Sequence, residues 1–248
     1  MDNIKDRKWH LTEDGEVLLF DKPYRWTSFD LVNKFRYWAC RRLGVKKLKV
    51  GHAGTLDPLA TGLMIICTGR CTKQLDTLQQ GKKEYIATLK LGQTTPSFDL
   101  ETEPDAEYPT EHITEQLISE VLPKFVGIIE QTPPAYSAIR VDGKRAYALA
   151  RKGREVNLKP RLLVVEEIEL LSTDLPEIII RVVCSKGTYI RALARDIGVA
   201  LGSGAHLTAL RRTRIGEYRI EDAYPIELLD ELLKRYVEPL PKEEKDGK

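Results

Sequence analysis

The chain has 248 residues, 42% of them hydrophobic and 31% charged, the make-up of an ordinary globular protein with room for one large core or two small ones. A net charge of +2 gives the whole molecule little pull on a polyanion, and no apolar run is long enough to span a bilayer. Cys40, Cys67, Cys71 and Cys184 form no Cys-x-x-Cys pair and share no zinc-like spacing with His10, His52, His112 and His206. The N-terminus, MDNIKDRKWHLTEDG, is polar and lacks the apolar core of a signal peptide, so a reducing cytoplasm is the expected location.

In chain order, Val17 to Phe20 is a short apolar run that ends at Asp21-Lys-Pro23, which predicts a buried strand. Thr27 and Ser28 are N-cap candidates for a helix over Phe29 to Leu43, closed by Gly44. A loop around Asp57 follows, then a buried strand over Leu63 to Cys67 and a short helix over Lys73 to Gln80. Glu84 to Leu91 alternates as a half-buried strand, except at Ile86. Thr94 to Thr110 is acidic and contains proline, and reads as a surface loop; Glu111 to Phe125 has helical spacing. Tyr136 to Val141 reads as a strand, Asp142-Gly143 as a turn and Lys144 to Lys152 as a basic helix. Strands are expected over Leu162 to Leu171 and Glu177 to Cys184. A helix capped by Thr188 then runs to about Leu201. Arg211 to Ile220 reads as a strand, Pro225 to Tyr236 as a last helix, and Pro239 to Lys248 as a charged, mobile tail. Strands and helices interleave without a regular βαβ rhythm, so the expected class is α+β: a mixed, mainly antiparallel sheet with helices on its faces.

Charge is segregated along the chain. Arg41 to Lys49 holds five bases and no acid, whereas Thr95 to Val121 holds eight acids and no Lys or Arg. Arg211, Arg212 and Arg214 form a further basic cluster. This pattern permits one basic face suited to a polyanion and one acidic edge. No phosphate-cradling glycine motif is present.

One segment stands out chemically: Gly51-His-Ala-Gly-Thr-Leu-Asp-Pro-Leu-Ala-Thr-Gly62. Pro58 fixes its own φ and drives Asp57 out of helical angles, so the segment predicts a stiff loop that presents one acid, with His52 nearby. A tight turn whose Asp only caps backbone N–H groups would have the same composition.

Four further segments join this one: Gly81-Lys-Lys-Glu-Tyr85, Gln131-Thr-Pro-Pro-Ala-Tyr-Ser-Ala-Ile-Arg-Val-Asp-Gly-Lys-Arg-Ala-Tyr147, Cys184-Ser-Lys-Gly-Thr-Tyr-Ile-Arg191 and Gly204-Ala-His-Leu-Thr-Ala-Leu210-Arg-Arg-Thr-Arg-Ile-Gly216. Together, over about 17–218 and in the family's order, they closely resemble the bacterial TruB family of tRNA pseudouridine synthases. The resemblance implies the pseudouridine synthase fold and isomerisation of a uridine, position 55 in the T loop of tRNA, to pseudouridine. It implies no cofactor, no metal, no membrane and no obligatory protein partner.

By resemblance, Asp57 is the catalytic aspartate, Arg191 the arginine that pairs with it, and Tyr85 the active-site tyrosine. His52 corresponds to a histidine associated with nucleotide flipping. Tyr189 and Leu210 correspond to an aromatic residue of the site and an apolar wall of the uracil pocket. Lys22-Pro23 matches an early motif that supports the site. Arg140, Lys144 and Arg145 lie in a region that closes over the T arm and suit phosphate contacts, which position RNA without reading its sequence. An ionised carboxylate can add to the ribose or the uracil ring, or remove the C2′ proton, and the residues do not choose among these.

The expected organisation is one catalytic domain over 1–224, with a basic RNA-clamping segment near 131–156. A short C-terminal helix and tail over 225–248 would replace the separate RNA-binding domain of many relatives, which makes a salt-sensitive RNA complex the expectation. Two other readings share this scaffold: a tRNA-binding or tRNA-folding protein without turnover, and the same chemistry on another RNA.

Overall fold

The computed structural model describes residues 8–141 and 143–240. Asp142 of the expected turn, the first seven residues of the polar N-terminus and 241–248 of the expected tail lie outside the described residues.

The elements follow in chain order. They begin with β1 Val17–Lys22, α1 Ser28–Leu43, β2 Val50–Ala53, β3 Ala60–Thr68, α2 Leu75–Leu78, β4 Lys83–Leu91, β5 Gln93–Thr94 and β6 Ala106–Glu107. Next come α3 Glu115–Val121, β7 Gly127–Gln131, β8 Arg140–Val141, β9 Lys144–Arg145, α4 Ala146–Ala150, β10 Arg161–Asp174 and β11 Glu177–Cys184. The last are α5 Ile190–Ala200, β12 Ala205–Ile215, β13 Tyr218–Arg219, β14 Tyr224–Pro225 and α6 Leu229–Tyr236. The chain divides into two compact units, 1–81 with 212–248 and 82–211, and β12 passes from the second to the first at Arg212.

In the first unit the strand order is β14-β1-β3-β12, with β2 also paired to β3 and β13 to β12. β1 and β2 both run antiparallel to β3, and β1 runs parallel to β14. The core packs Leu19, Ala53, Leu63, Ile65, Cys67 and Ile215 together. α1 begins with a reciprocal cap: the Thr27 hydroxyl accepts from the Asp30 N–H at 3.0 Å and Asp30 Oδ2 accepts from the Thr27 N–H at 2.8 Å. Thr27 therefore takes the cap and frees the Ser28 hydroxyl for a tertiary role described below. α6 packs near α1, where Arg42 Nε donates to the Val237 carbonyl at 2.8 Å and so satisfies the end of α6.

In the second unit the order is β12-β4-β11-β10-β7, and β4 with β11, β11 with β10 and β10 with β7 pair antiparallel. β4 alternates strictly: Lys83, Tyr85, Ala87, Leu89 and Leu91 are buried, and the residues between them are half-buried. Ile86, the break in the hydrophobic pattern, pairs with Arg181 on the opposite face. There the Arg181 guanidinium donates to Glu84, Glu167 and Glu169 at 2.7–3.1 Å.

The fold is the mixed, mainly antiparallel sheet with helices that the sequence predicts, but several elements differ. The segment 94–110 is no plain surface loop. β5 and β6 form a hairpin within it, and Thr95, Ser97 and Asp99 are buried. Gly92 N–H donates to Gly204 O at 2.8 Å and Leu207 N–H to Phe98 O at 3.0 Å, which fastens the segment to the start of β12. β12 itself starts at Ala205, well before Arg211. Tyr136 to Val141 is strand only at its last two residues, and Lys144 to Lys152 is helical only over Ala146–Ala150, since β8 and β9 form a small hairpin. Thr188 does not cap α5. Its hydroxyl donates back to Ser185 O at 3.1 Å, and Tyr189 occupies the cap position. The short helix near 73–80 begins as a 3₁₀ turn over Gly69–Gln74, and α3 is preceded by Thr114 as its cap. β2 and β7 are strands that the periodicity did not reveal, because each is short and carries polar or glycine positions.

Among the described residues no helix is long and apolar enough to cross a membrane. Gly62 gives a sharp test of the first unit. Its φ is +107°, and a Cβ there would lie 2.2 Å from the Arg212 carbonyl oxygen. Gly62→Ala is expected to lower stability by about 3 kcal/mol or more, read by chemical denaturation.

Candidate active site

Asp57 lies in the turn between β2 and β3 and is half-buried. Each neighbour on its loop is held by a different element. Ser28, the first residue of α1, accepts from the Leu56 N–H at 2.9 Å and donates to the Leu56 carbonyl at 3.1 Å. Lys22, at the end of β1 opposite Gly62, donates to the carbonyls of Pro23, Trp26 and Pro58 at 3.0, 2.6 and 3.3 Å. Arg212 is 1% exposed; it donates to Leu63 O at 2.9 Å, Gly54 O at 3.0 Å and Thr55 O at 3.5 Å. The basic cluster of 211–214 is thus not a uniform surface patch: its middle member is a buried brace. Two of the motif's three glycines make room for Arg212, since a Cβ on Gly54 would stand 3.4 Å from its Nη1 and one on Gly62 would meet its backbone.

The electrostatics follow from burial. Lys22 is pushed down to about 8 by loss of solvent, against the pull of the Asp57 carboxylate, and Arg212 pushes it further down. His52, on β2, is held below its ordinary value by burial and then by Arg212, so the imidazole is neutral at pH 7. A neutral ring loses less on leaving water to stack on a base than a charged one. Lys22, His52, Arg212 and Asp57 therefore form one neighbourhood in the first unit.

The second unit holds the other predicted residues. Arg191, in the first turn of α5, is 3% exposed. Its guanidinium donates to Ser97 O at 3.2 Å and Tyr136 O at 3.0 Å, and Nε lies 3.6 Å from Asp99 Oδ2. Asp99 was missed by sequence reasoning, which saw only an acidic loop; the signal was Thr95, Ser97 and Thr102 around it. The Thr95 hydroxyl donates to Asp99 O at 2.7 Å, and Ser97 Oγ lies 2.9 Å from Thr102 Oγ1. Tyr189, at the cap of α5, is clasped by Gln131: its N–H donates to Gln131 Oε1 at 2.9 Å, and Gln131 Nε2 donates to its carbonyl at 3.2 Å. Tyr85 projects to the buried face of β4, level with Val182 of β11, and Leu210 is half-buried on β12.

Arg140, Lys144 and Arg145 are all exposed on the β8–β9 hairpin, and the structure brings Arg140 and Arg145 directly opposite each other. Like charges facing across a ladder destabilise it, and an anion between them removes that cost. Among the described residues no three His, Cys, Asp or Glu side chains are grouped to hold a metal ion.

The N-terminal domain of the TruB family pseudouridylate synthases matches residues 41–190, and the C-terminal domain of tRNA pseudouridylate synthase B matches residues 191–244. The chain belongs to the TruB family. With that family it is a pseudouridine synthase, an isomerase. A protein of Phocaeicola vulgatus named tRNA pseudouridine synthase B is 67% identical over 221 residues, 89% of this chain and 94% of that protein. One of the same name from Parabacteroides distasonis is 68% identical over 223 residues, 90% and 95% of the two chains. Among solved structures, a chain of a Cbf5-Nop10-Gar1 complex matches with a TM-score of 0.66 and 30% identity over 89% of this chain. This chain spans 55% of that one.

Lys22 supplies a titration that reports on the neighbourhood of the Asp57 turn. Above about pH 10.5 both folded and unfolded chains have a neutral Lys22; between about 8 and 10.5 the folded chain has lost the proton that the unfolded chain keeps. The Lys22 contribution to stability is therefore fullest above that window and is lost as pH falls through about 8. Denaturant unfolding at pH 7.5 and 9.5 is expected to show wild type gaining stability relative to Lys22→Met at the higher pH.

Proposed function

We propose that this chain converts the uridine at position 55 in the T loop of tRNA to pseudouridine, with Asp57 as the catalytic carboxylate. The observation that carries the reading is the hold on the Asp57 loop, in which Ser28, Lys22 and Arg212 fix Leu56, Pro58, Gly54 and Thr55 by hydrogen bonds. Chemistry at a nucleoside requires a carboxylate that stays ionised and wanders little, and misplacement by about an ångström costs on the order of a hundredfold. A capping Asp in a surface turn has no need of two buried cations. The names of the close relatives supply the tRNA.

In this reading the target nucleotide leaves its stack, at a cost of roughly a few kcal/mol. The neutral His52 ring replaces part of the lost stacking. The N1–C1′ bond breaks, the uracil turns, C5 bonds to C1′, and the proton on C5 is lost while N1 regains one, so the net change is an isomerisation. Tyr85 faces the base, Arg191 supports the reacting carboxylate's charge, and Tyr189 and Leu210 wall the uracil pocket. Arg140, Lys144 and Arg145 take phosphates of the T arm, which orients the loop without reading its sequence. The protein acts in the cytoplasm on tRNA.

Asp57→Asn should reduce pseudouridine formation in unmodified tRNA by roughly a thousandfold or more while tRNA binding stays within a few fold. Carbodiimide primer extension and filter binding read the two effects, and retained turnover would remove Asp57 from the catalytic role. Arg191→Lys is expected to lower kcat by roughly tenfold or more, with a smaller change in affinity, because the planar fork is lost. Equal losses in both would make Arg191 a residue that mainly holds RNA.

A further inference from the structure

The outer face of α1 carries a feature that the reaction does not use. Residues 31–56 contain seven bases, Lys34, Arg36, Arg41, Arg42, Lys46, Lys47 and Lys49, and no acid. Arg42 is accounted for by the end of α6. Asn33, Arg36, Tyr37, Cys40, Arg41 and Lys46 line a groove of about 480 Å³. Three of the six are cations and none is an acid. Tyr37 is 61% exposed there, although a large ring on a helix is ordinarily turned into the core.

The groove is also ordered before any ligand arrives. Arg36 Nη2 donates to Val50 O at 3.2 Å and Nη1 to Asn33 Oδ1 at 3.0 Å, which fixes the guanidinium at the floor. Arg41 lies 5.7 Å over the Trp38 ring, and Trp38 meets Tyr37 edge to face at 5.7 Å. Upstream, Lys34 sits 5.1 Å over Trp26. Cations and rings thus lie together along α1 and just before its start. That combination suits single-stranded nucleic acid, where phosphates meet the cations and a base stacks on a ring. An acidic protein segment would use the charge and leave the exposed tyrosine face unexplained.

We propose that this groove is a second RNA-contact surface, in which one nucleobase stacks on Tyr37 and the flanking phosphates lie on Arg36, Arg41 and Lys46. It rests on the proposed function in taking the same RNA, and adds a contact outside the catalytic loop. The groove supplies affinity and leaves the chemical step alone.

The test uses the full chain and unmodified tRNA. Arg41→Glu/Lys46→Glu is compared with Lys124→Glu/Lys159→Glu, an equal change of charge at exposed positions elsewhere. The groove pair should weaken binding roughly tenfold or more and reduce the salt dependence of log Kd by about one to two. It should raise KM and leave kcat at saturating tRNA unchanged, while the control pair has a much smaller effect. Tyr37→Ala, which alters no charge, should weaken binding by roughly fivefold or more. Unchanged affinity in the Tyr37 and charge variants, or a loss equal to the control's, overturns the proposal. Pseudouridine formation by wild type in the same preparation separates the two readings: its absence sinks the proposed function, whereas unchanged binding with active enzyme sinks the groove alone.

Discussion

The guanidinium of Arg212 is the constraint around which the first unit is arranged. It is buried, yet it reaches carbonyls on both sides of the Asp57 turn, from Gly54 and Thr55 to Leu63. Burying a cation is costly, and charge-assisted hydrogen bonds to fixed carbonyls offset that cost only when the geometry is met. The Leu63 carbonyl is fixed because β3 is a central strand paired with β1, β2 and β12. Gly62 has no side chain because the Arg212 backbone occupies that space. The loop, the strand and the arginine therefore specify one another.

The same cation sets the charge state of the residues near it. Together with burial, it pushes both Lys22 and His52 toward their neutral forms. The polar side chains around the Asp57 turn are thus held by burial and by bonds to backbone carbonyls. In the second unit the logic repeats with other groups. Arg191 is buried against Asp99 and two backbone carbonyls, and Gln131 fixes the backbone of Tyr189 through both of its amide groups. Side chains assigned to chemistry are thus held by polar contacts in which backbone groups take a large part, so their positions depend on the chain path.

Much of this was legible in the sequence, for stated physical reasons. Long periodic elements such as α1, β4 and β11 are written in apolar spacing and caps, and the five motif segments identified the family. The stiffness of the Asp57 loop followed from glycine and proline alone. What the sequence hid was the burial of polar residues. Arg212 reads as one of three surface arginines, and Asp99 reads as one of five acids in a loop. Their roles depend on contacts with residues distant in sequence, Arg212 with Gly54 and Asp99 with Arg191, which no local pattern encodes. Short strands such as β2 and β9 were missed because two to four residues cannot display a period.

The proposed reaction needs a clamped carboxylate that meets a nucleoside drawn out of its RNA. A crystal structure of the protein with a T-arm stem-loop carrying 5-fluorouridine at the target position tests this directly. The modified nucleotide should be everted, with its ribose or base within about 3.5 Å of an Asp57 carboxylate oxygen. A stem-loop bound with the target base still stacked, or everted into a pocket that Asp57 does not border, would contradict it.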